Sequence, residues 1–164
     1  MLMHQATLTY NKLLIQRAVL SFWRRSVGID FIVALLLLAG SLSVLFLAGN
    51  RSWLVGSLGA FLVIGVVLAV AVYWIHYGHA IQKFKEMGSP LATFCAETSS
   101  FILTSEIGTA TFRWSVVKEL WQFTDYWLIL FSKAQFITIP LADLSSEMQT
   151  FILDRVRAAG GKVC

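Results

Sequence analysis

The side chains whose types and spacing invite chemistry are few in these 164 residues. His76 and His79 stand three apart, on one face of a helix, and two imidazoles at that spacing can begin a metal site. A transition metal wants three or four ligands and a second shell to orient them. Glu86 and Tyr73 are the nearest further donors, and no acid or Cys follows at a suitable offset, so the pair reads as interfacial histidines. Cys95 and Cys164 are too few and too far apart for a disulfide framework and read as free thiols. Glu97 and Glu106 could be paired on a sheet for acid–base work, but acidic residues here are scattered. Gly78, Gly88 and Gly108 are isolated and no Gly-Lys-Ser/Thr triplet occurs, so no phosphate loop is expected. No Ser or Cys sits in a recognisable nucleophile setting. The expectation is a non-enzyme with no catalytic residue, no cofactor, no metal and no small-molecule substrate.

What would position such groups is governed by composition. Hydrophobic residues make up 57% of the chain and charged residues 13%, with a mean hydropathy of +0.72. A soluble domain is about 25% charged, so this balance argues against one and points to a bilayer. Phe31 to Gly49 is an uncharged run of 19 residues, about 28 Å as a helix and close to the thickness of a hydrocarbon core. A second run, spanning about 53–75, follows with only Asn50 and Arg51 clearly between them. Backbone polar groups in lipid must be satisfied within the segment, so both runs are expected to be helices. The short link makes them an antiparallel transmembrane hairpin over residues 29–78.

Basic residues set the orientation. Lys12, Arg17, Arg24 and Arg25 precede the first span and Lys83 and Lys85 follow the second, whereas the connecting loop carries only Arg51. Both ends are therefore expected on the cytoplasmic side. Phe22, Trp23, Tyr73, Trp74 and Tyr77 read as an aromatic belt at that interface, and Trp53 marks the opposite one. Asp30 opens the first span, where a helix N-terminus favours negative charge, and reads as an interface anchor. Ser52, Gly56 and Ala60 recur at spacing four, and Gly65 and Ala69 form a second small pair half a turn away. One of these faces is expected to pack on the first span; the other faces lipid or a partner helix. Residues 1–28 read as a short strand followed by a juxtamembrane helix over 10–26, whose basic end lies near the bilayer, and 79–90 reads as a linker.

From Gly88-Ser89-Pro90 onward, short strand signals alternate with turn residues. The pattern predicts strands at 92–97, 100–104, 109–114, 116–123, 126–132 and 135–139, with breaks that include Lys133-Ala134. Thr109 to Trp114 alternates, placing Ala110, Phe112 and Trp114 inward. The stretch 126–131 is apolar on both faces and should be central or covered twice. Ser145 is a plausible N-cap for a closing helix that Gly160-Gly161 can end, and its Met148, Phe151, Ile152, Arg155, Val156 and Ala159 fall at helical spacing as a stripe expected to pack on the sheet. The fold class is thus a membrane helical hairpin plus a small α+β domain over 91–164, an antiparallel bent sheet capped by a C-terminal helix.

Trp114-Ser115-x-x-Lys118, Thr124-Asp125-Tyr126-x-Leu128 and Ile139-Pro140, set behind two closely spaced apolar helices and before a C-terminal helix, resemble the YcxB-like protein family. That resemblance implies a pleckstrin-homology-like C-terminal domain in a bacterial inner-membrane protein, and it carries no catalytic residues. From residue 89 onward six basic residues face seven acidic ones, a net of −1, while the first 88 residues carry +5. A nucleic-acid or headgroup surface needs clustered positive charge, so neither is expected on the β domain. Trp121, Phe123 and Trp127 crowd one turn and form the candidate interaction surface, because aromatic residues with few charges typify interface centres. The expected partners are the lipid bilayer and either an unidentified protein or a second copy. The alternative is an accessory subunit of a membrane transport or secretion complex.

Overall fold

His4–Thr9, at one end of the chain, and Leu91–Ala96, more than eighty residues later, are paired strands. We call them β1 and β2 in the computed structural model, which describes residues 4–86, 88–132 and 135–164. Their antiparallel register runs from His4 opposite Ala96 to Thr9 opposite Leu91. β3 (Ser100–Ser105) and β4 (Gly108–Arg113) complete a four-stranded meander in the order β1-β2-β3-β4. Chain contacts divide the molecule into two units. One joins the stretch up to Ala18 with Ala80–Cys164; the other is Val19–His79.

A second sheet follows in the first of these units. It contains β5 (Glu119–Gln122), β6 (Tyr126–Leu130), β7 (Phe136–Pro140) and β8 (Lys162–Val163), in the order β7-β6-β5-β8. The strand expected over 116–123 begins later, because Trp114–Val116 makes a single 3-10 turn that carries the chain from one sheet to the next. Its cause is the Trp114 side chain. The indole N–H donates to the Glu97 carbonyl at 2.9 Å and the ring packs 4.7 Å from Phe101, holding position 114 in the core instead of in a strand pleat. Ala110, expected inward, is exposed on β4, the edge strand of its sheet. β6 is buried at all five positions, as a strand with neighbours on both sides and cover on both faces must be. β8 pairs with β5 in parallel, a strand too short for any periodic signal to announce. The expected break at Lys133-Ala134 lies outside the described residues.

The helix we call α4 (Ser146–Ala158) closes this unit. The Ser145 hydroxyl accepts from the Met148 N–H at 3.2 Å, and Gly160, at φ 84°, ends the helix in the left-handed turn that favours glycine. Met148, Ile152 and Val156 join Leu8, Phe94, Phe101, Trp114, Leu120, Trp127, Ile129 and Ile139 in one core. The opposite face of the second sheet presents Trp121, Tyr126, Leu128 and Leu130. Over it lies the start of α1 (Lys12–Val27), tied by a Tyr126 hydroxyl that donates to the Arg17 carbonyl at 3.1 Å.

The second unit holds α2 (Ile29–Leu47) and α3 (Trp53–Glu86) as far as His79, and both helices are long and apolar enough to cross a membrane. α3 continues as helix through 79–86, where a linker was expected. Gly28, at φ 81°, separates α1 from α2. α2 and α3 run antiparallel along a seam whose half-buried positions include Ile32, Leu35, Leu38, Leu42 and Leu45 on one helix and Val55, Leu58, Leu62 and Ala69 on the other, with Gly65 buried among them.

Candidate functional site

The three aromatic residues proposed as an interaction surface are distributed differently from that expectation. Trp121 is 6% exposed and Trp127 4%, on opposite faces of the second sheet. The Trp127 ring belongs to the main core, and the Trp121 indole donates to the Glu119 carboxylate at 2.6 Å. Successive strand positions alternate faces, so three aromatics around one turn cannot all look outward when both faces of the sheet are covered. Phe123 alone keeps partial exposure. It stacks 5.0 Å from Tyr126 at the β5–β6 turn, which closes with the Phe123 N–H on the Tyr126 carbonyl at 3.0 Å. Asp125 in that turn pairs with Arg17 at 3.3 Å, both side chains being more than half exposed. Nothing in the local sequence announced that pair, because its members are 108 residues apart.

The two small-residue stripes have different fates. A methyl group built at Gly65 would stand 2.7 Å from a Leu35 methyl carbon, so this glycine is what lets α2 and α3 approach, and Ala69 is half-buried on the same line. Ser52, Gly56 and Ala60 are exposed, and nothing lies within 4 Å of the place a methyl at Gly56 would occupy. The hydroxyls of Ser41, Ser43 and Ser57 donate to the carbonyls of Leu37, Ala39 and Trp53, four residues back in each case. Their polar groups are thus satisfied within the helix, the condition for facing lipid.

The aromatic residues assigned to a belt come together at one level of the second unit. Trp23 donates its indole N–H to the Ala69 carbonyl at 2.8 Å and meets the Tyr73 ring edge-on, with centroids 6.1 Å apart. Tyr73 stacks on Tyr77 at 5.8 Å, and Phe22 meets His76 edge-on at 5.1 Å. From Trp53, which is 79% exposed, to Tyr73 is twenty helical positions, or about 30 Å. Two aromatic levels on one helix, separated by the thickness of a hydrocarbon core, are the arrangement interfacial anchors require.

The remaining candidates lie apart among the described residues. His76 is engaged with Phe22, and among the described residues no group of three His, Cys, Asp or Glu side chains converges. Glu97 and Glu106 lie at opposite ends of β3, roughly 20 Å apart by strand length. Each serves a turn: Glu97 accepts from the Ser100 hydroxyl at 2.9 Å, and Glu106 from the Ser89 N–H at 3.1 Å. Cys95 is buried, and burial with the nearby Glu97 carboxylate raises its thiol pKa, while Cys164 is exposed. Sequence reasoning passed over Tyr10. Its phenol is buried, donates to the Thr138 carbonyl at 2.9 Å, and is pushed well above its ordinary pKa, first by burial and then by the Asp143 carboxylate.

The motif residues behind the family resemblance serve structural roles: Trp114 anchors the core, Thr124-Asp125 forms the β5–β6 turn, and Pro140 ends β7. Residues 98–154, from the β2–β3 turn into α4 and roughly a third of the chain, match the family model described as YcxB-like protein. Comparison with curated proteins and with solved structures finds no match.

Proposed function

We propose that this chain is a non-enzymatic protein of the bacterial cytoplasmic membrane, crossing it twice, with both ends in the cytoplasm and a pleckstrin-like module on that side. The observation that carries this reading is the pairing of β1 with β2. One strand precedes both apolar helices and the other follows them, so the chain must leave and return on one side of any membrane it crosses. The number of crossings is therefore even. The basic flanks then favour the cytoplasm for that side. Two antiparallel meanders, β1 to β4 and β5 to β7, with α4 packed on their core support the pleckstrin-like reading; the short parallel β8 after α4 is an addition to it. The module's work is to bind a protein partner or a second copy, with Phe123 and the exposed turn beside it as its contribution. The exposed Ser52, Gly56 and Ala60 face favours the second reading, a helix packed against other subunits of a transport or secretion complex.

Thiol labelling tests the topology. In intact cells a membrane-impermeant maleimide should label Asn50→Cys, in the loop between α2 and α3, and reach Cys164 only after permeabilisation. Labelling of Cys164 in intact cells would overturn it. Crosslinking in native membranes separates the two roles, a discrete small oligomer favouring the first and a large mixed assembly the second.

A further inference from the structure

The last turn of α1 carries Arg24 and Arg25, both exposed, directly after the residue that fixes this stretch in depth. Trp23 is held to α3 by its bond to the Ala69 carbonyl and by Tyr73, and Tyr73 lies about 30 Å along α3 from Trp53. The two guanidinium groups therefore stand at the level where a bilayer of ordinary thickness changes from acyl chain to phosphate. Gly28 breaks the helix three residues later, so the pair is not drawn into the apolar run that follows. Charge in this unit is one-sided: between Val19 and His79 the sole acidic residue is Asp30, lying beyond the Gly28 break in the first turn of α2, where the helix N-terminus already favours it.

We propose that Arg24 and Arg25 bind the phosphate of an anionic phospholipid headgroup, with Trp23, Tyr73 and Tyr77 forming the amphipathic wall against which the lipid's glycerol region rests. Guanidinium suits this task because its fork of N–H donors matches phosphate oxygens in pairs, which a lysine ammonium cannot do. Aromatic rings with a polar edge sit at the same depth for the same reason that they populate interfaces in general. The surface is distinct from the β-rich unit, whose net charge of −1 past residue 89 offers no comparable attraction. The proposal rests on α2 and α3 being membrane spans.

The test uses the full chain in nanodiscs of phosphatidylcholine containing a minority of phosphatidylglycerol. Lipid that stays with the protein on transfer to detergent is then quantified by mass spectrometry. Phosphatidylglycerol should be enriched over its bulk fraction by about fivefold for each arginine, the ordinary strength of a basic residue near an anionic surface. Arg24→Gln with Arg25→Gln should return the ratio to that of the bulk, and Arg51→Gln, at the other end of the hairpin, should leave the enrichment intact. Unchanged enrichment in the double variant, or equal loss in Arg51→Gln, would overturn the site. Discs of pure phosphatidylcholine separate this from the underlying reading. Failure of the wild-type chain to enter them would overturn the membrane spans themselves, whereas entry without later enrichment would overturn the lipid site alone.

Discussion

Replacing Tyr10 by Phe removes one oxygen from the interior and should change how stability depends on pH in a calculable way. The phenol donates to the Thr138 carbonyl at 2.9 Å, and its ionisation is opposed by burial and by the Asp143 carboxylate, whose Oδ2 also accepts from the Thr9 N–H at 2.6 Å. Below about pH 10 the phenol is neutral in both folded and unfolded chains, and its full contribution is present. Above that, the unfolded phenol ionises while the folded one keeps its proton. The folded state then binds more protons, and stability falls as pH rises, by about 1.4 kcal/mol per unit. At neutral pH, Tyr10→Phe should cost about 1–2 kcal/mol, for the bond lost and the Thr138 carbonyl left unpaired. The wild-type chain loses about 1.4 kcal/mol to this group by pH 11, so the two stability curves should close and meet near there. Denaturant titrations followed by tryptophan fluorescence from pH 7 to about pH 11.5 measure the gap. A gap that stays constant over the alkaline limb would refute the argument, as would appearance of the Tyr10 phenolate at ordinary pH in the tyrosinate ultraviolet band.

Three further outcomes follow from the geometry. Gly65→Leu should destabilise the α2–α3 pair by about 1–3 kcal/mol through the clash with Leu35, while Gly56→Leu, with the same change in helix propensity but open space around it, should be close to neutral. Equal effects in a helix-pair crosslinking or unfolding assay would mean the seam is misassigned. Ser145→Ala removes the acceptor for the Met148 N–H and should lower the stability of the β-rich unit by about 1 kcal/mol, read as a shift in denaturation midpoint. With a small maleimide near pH 8, Cys164 should react well before Cys95, which is buried and disfavoured as thiolate; mass spectrometry of partly labelled chains orders the two.

How legible the protein was in its sequence depended on the range of the interaction. Residues 31–49 could be read as helix because an uncharged run of that length leaves the backbone no other way to satisfy itself in lipid. Ser145 and Gly160 announced the ends of α4 through purely local bonds. The continuous apolar stretch of β6 implied cover on both faces, and all five of its positions are buried. The resemblance carried by Trp114, Thr124-Asp125-Tyr126 and Ile139-Pro140 is matched by the family model across 98–154. The candidate surface was harder. A cluster of Trp121, Phe123 and Trp127 looks exposed on a sequence because nothing there says that the start of α1 lies over the far side of their sheet.

The sequence by itself determined the two apolar runs as helix, most of the strands and the turns between them, which flank is basic, and that the two apolar segments follow each other closely. It missed the extension of α3 to Glu86, the 3-10 turn at Trp114–Val116 and β8. What it determined follows from period, length and charge, which act over a few residues. Tertiary structure alone decided the partners. It paired β1 with β2 across the whole helical hairpin, placed Gly65 in the helix seam and left Gly56 open, buried two of three clustered aromatics, and set Trp23 beside Ala69 and Tyr73. Each of these joins residues tens of positions apart through packing or a single hydrogen bond, and no local pattern encodes which distant neighbour will fill that place.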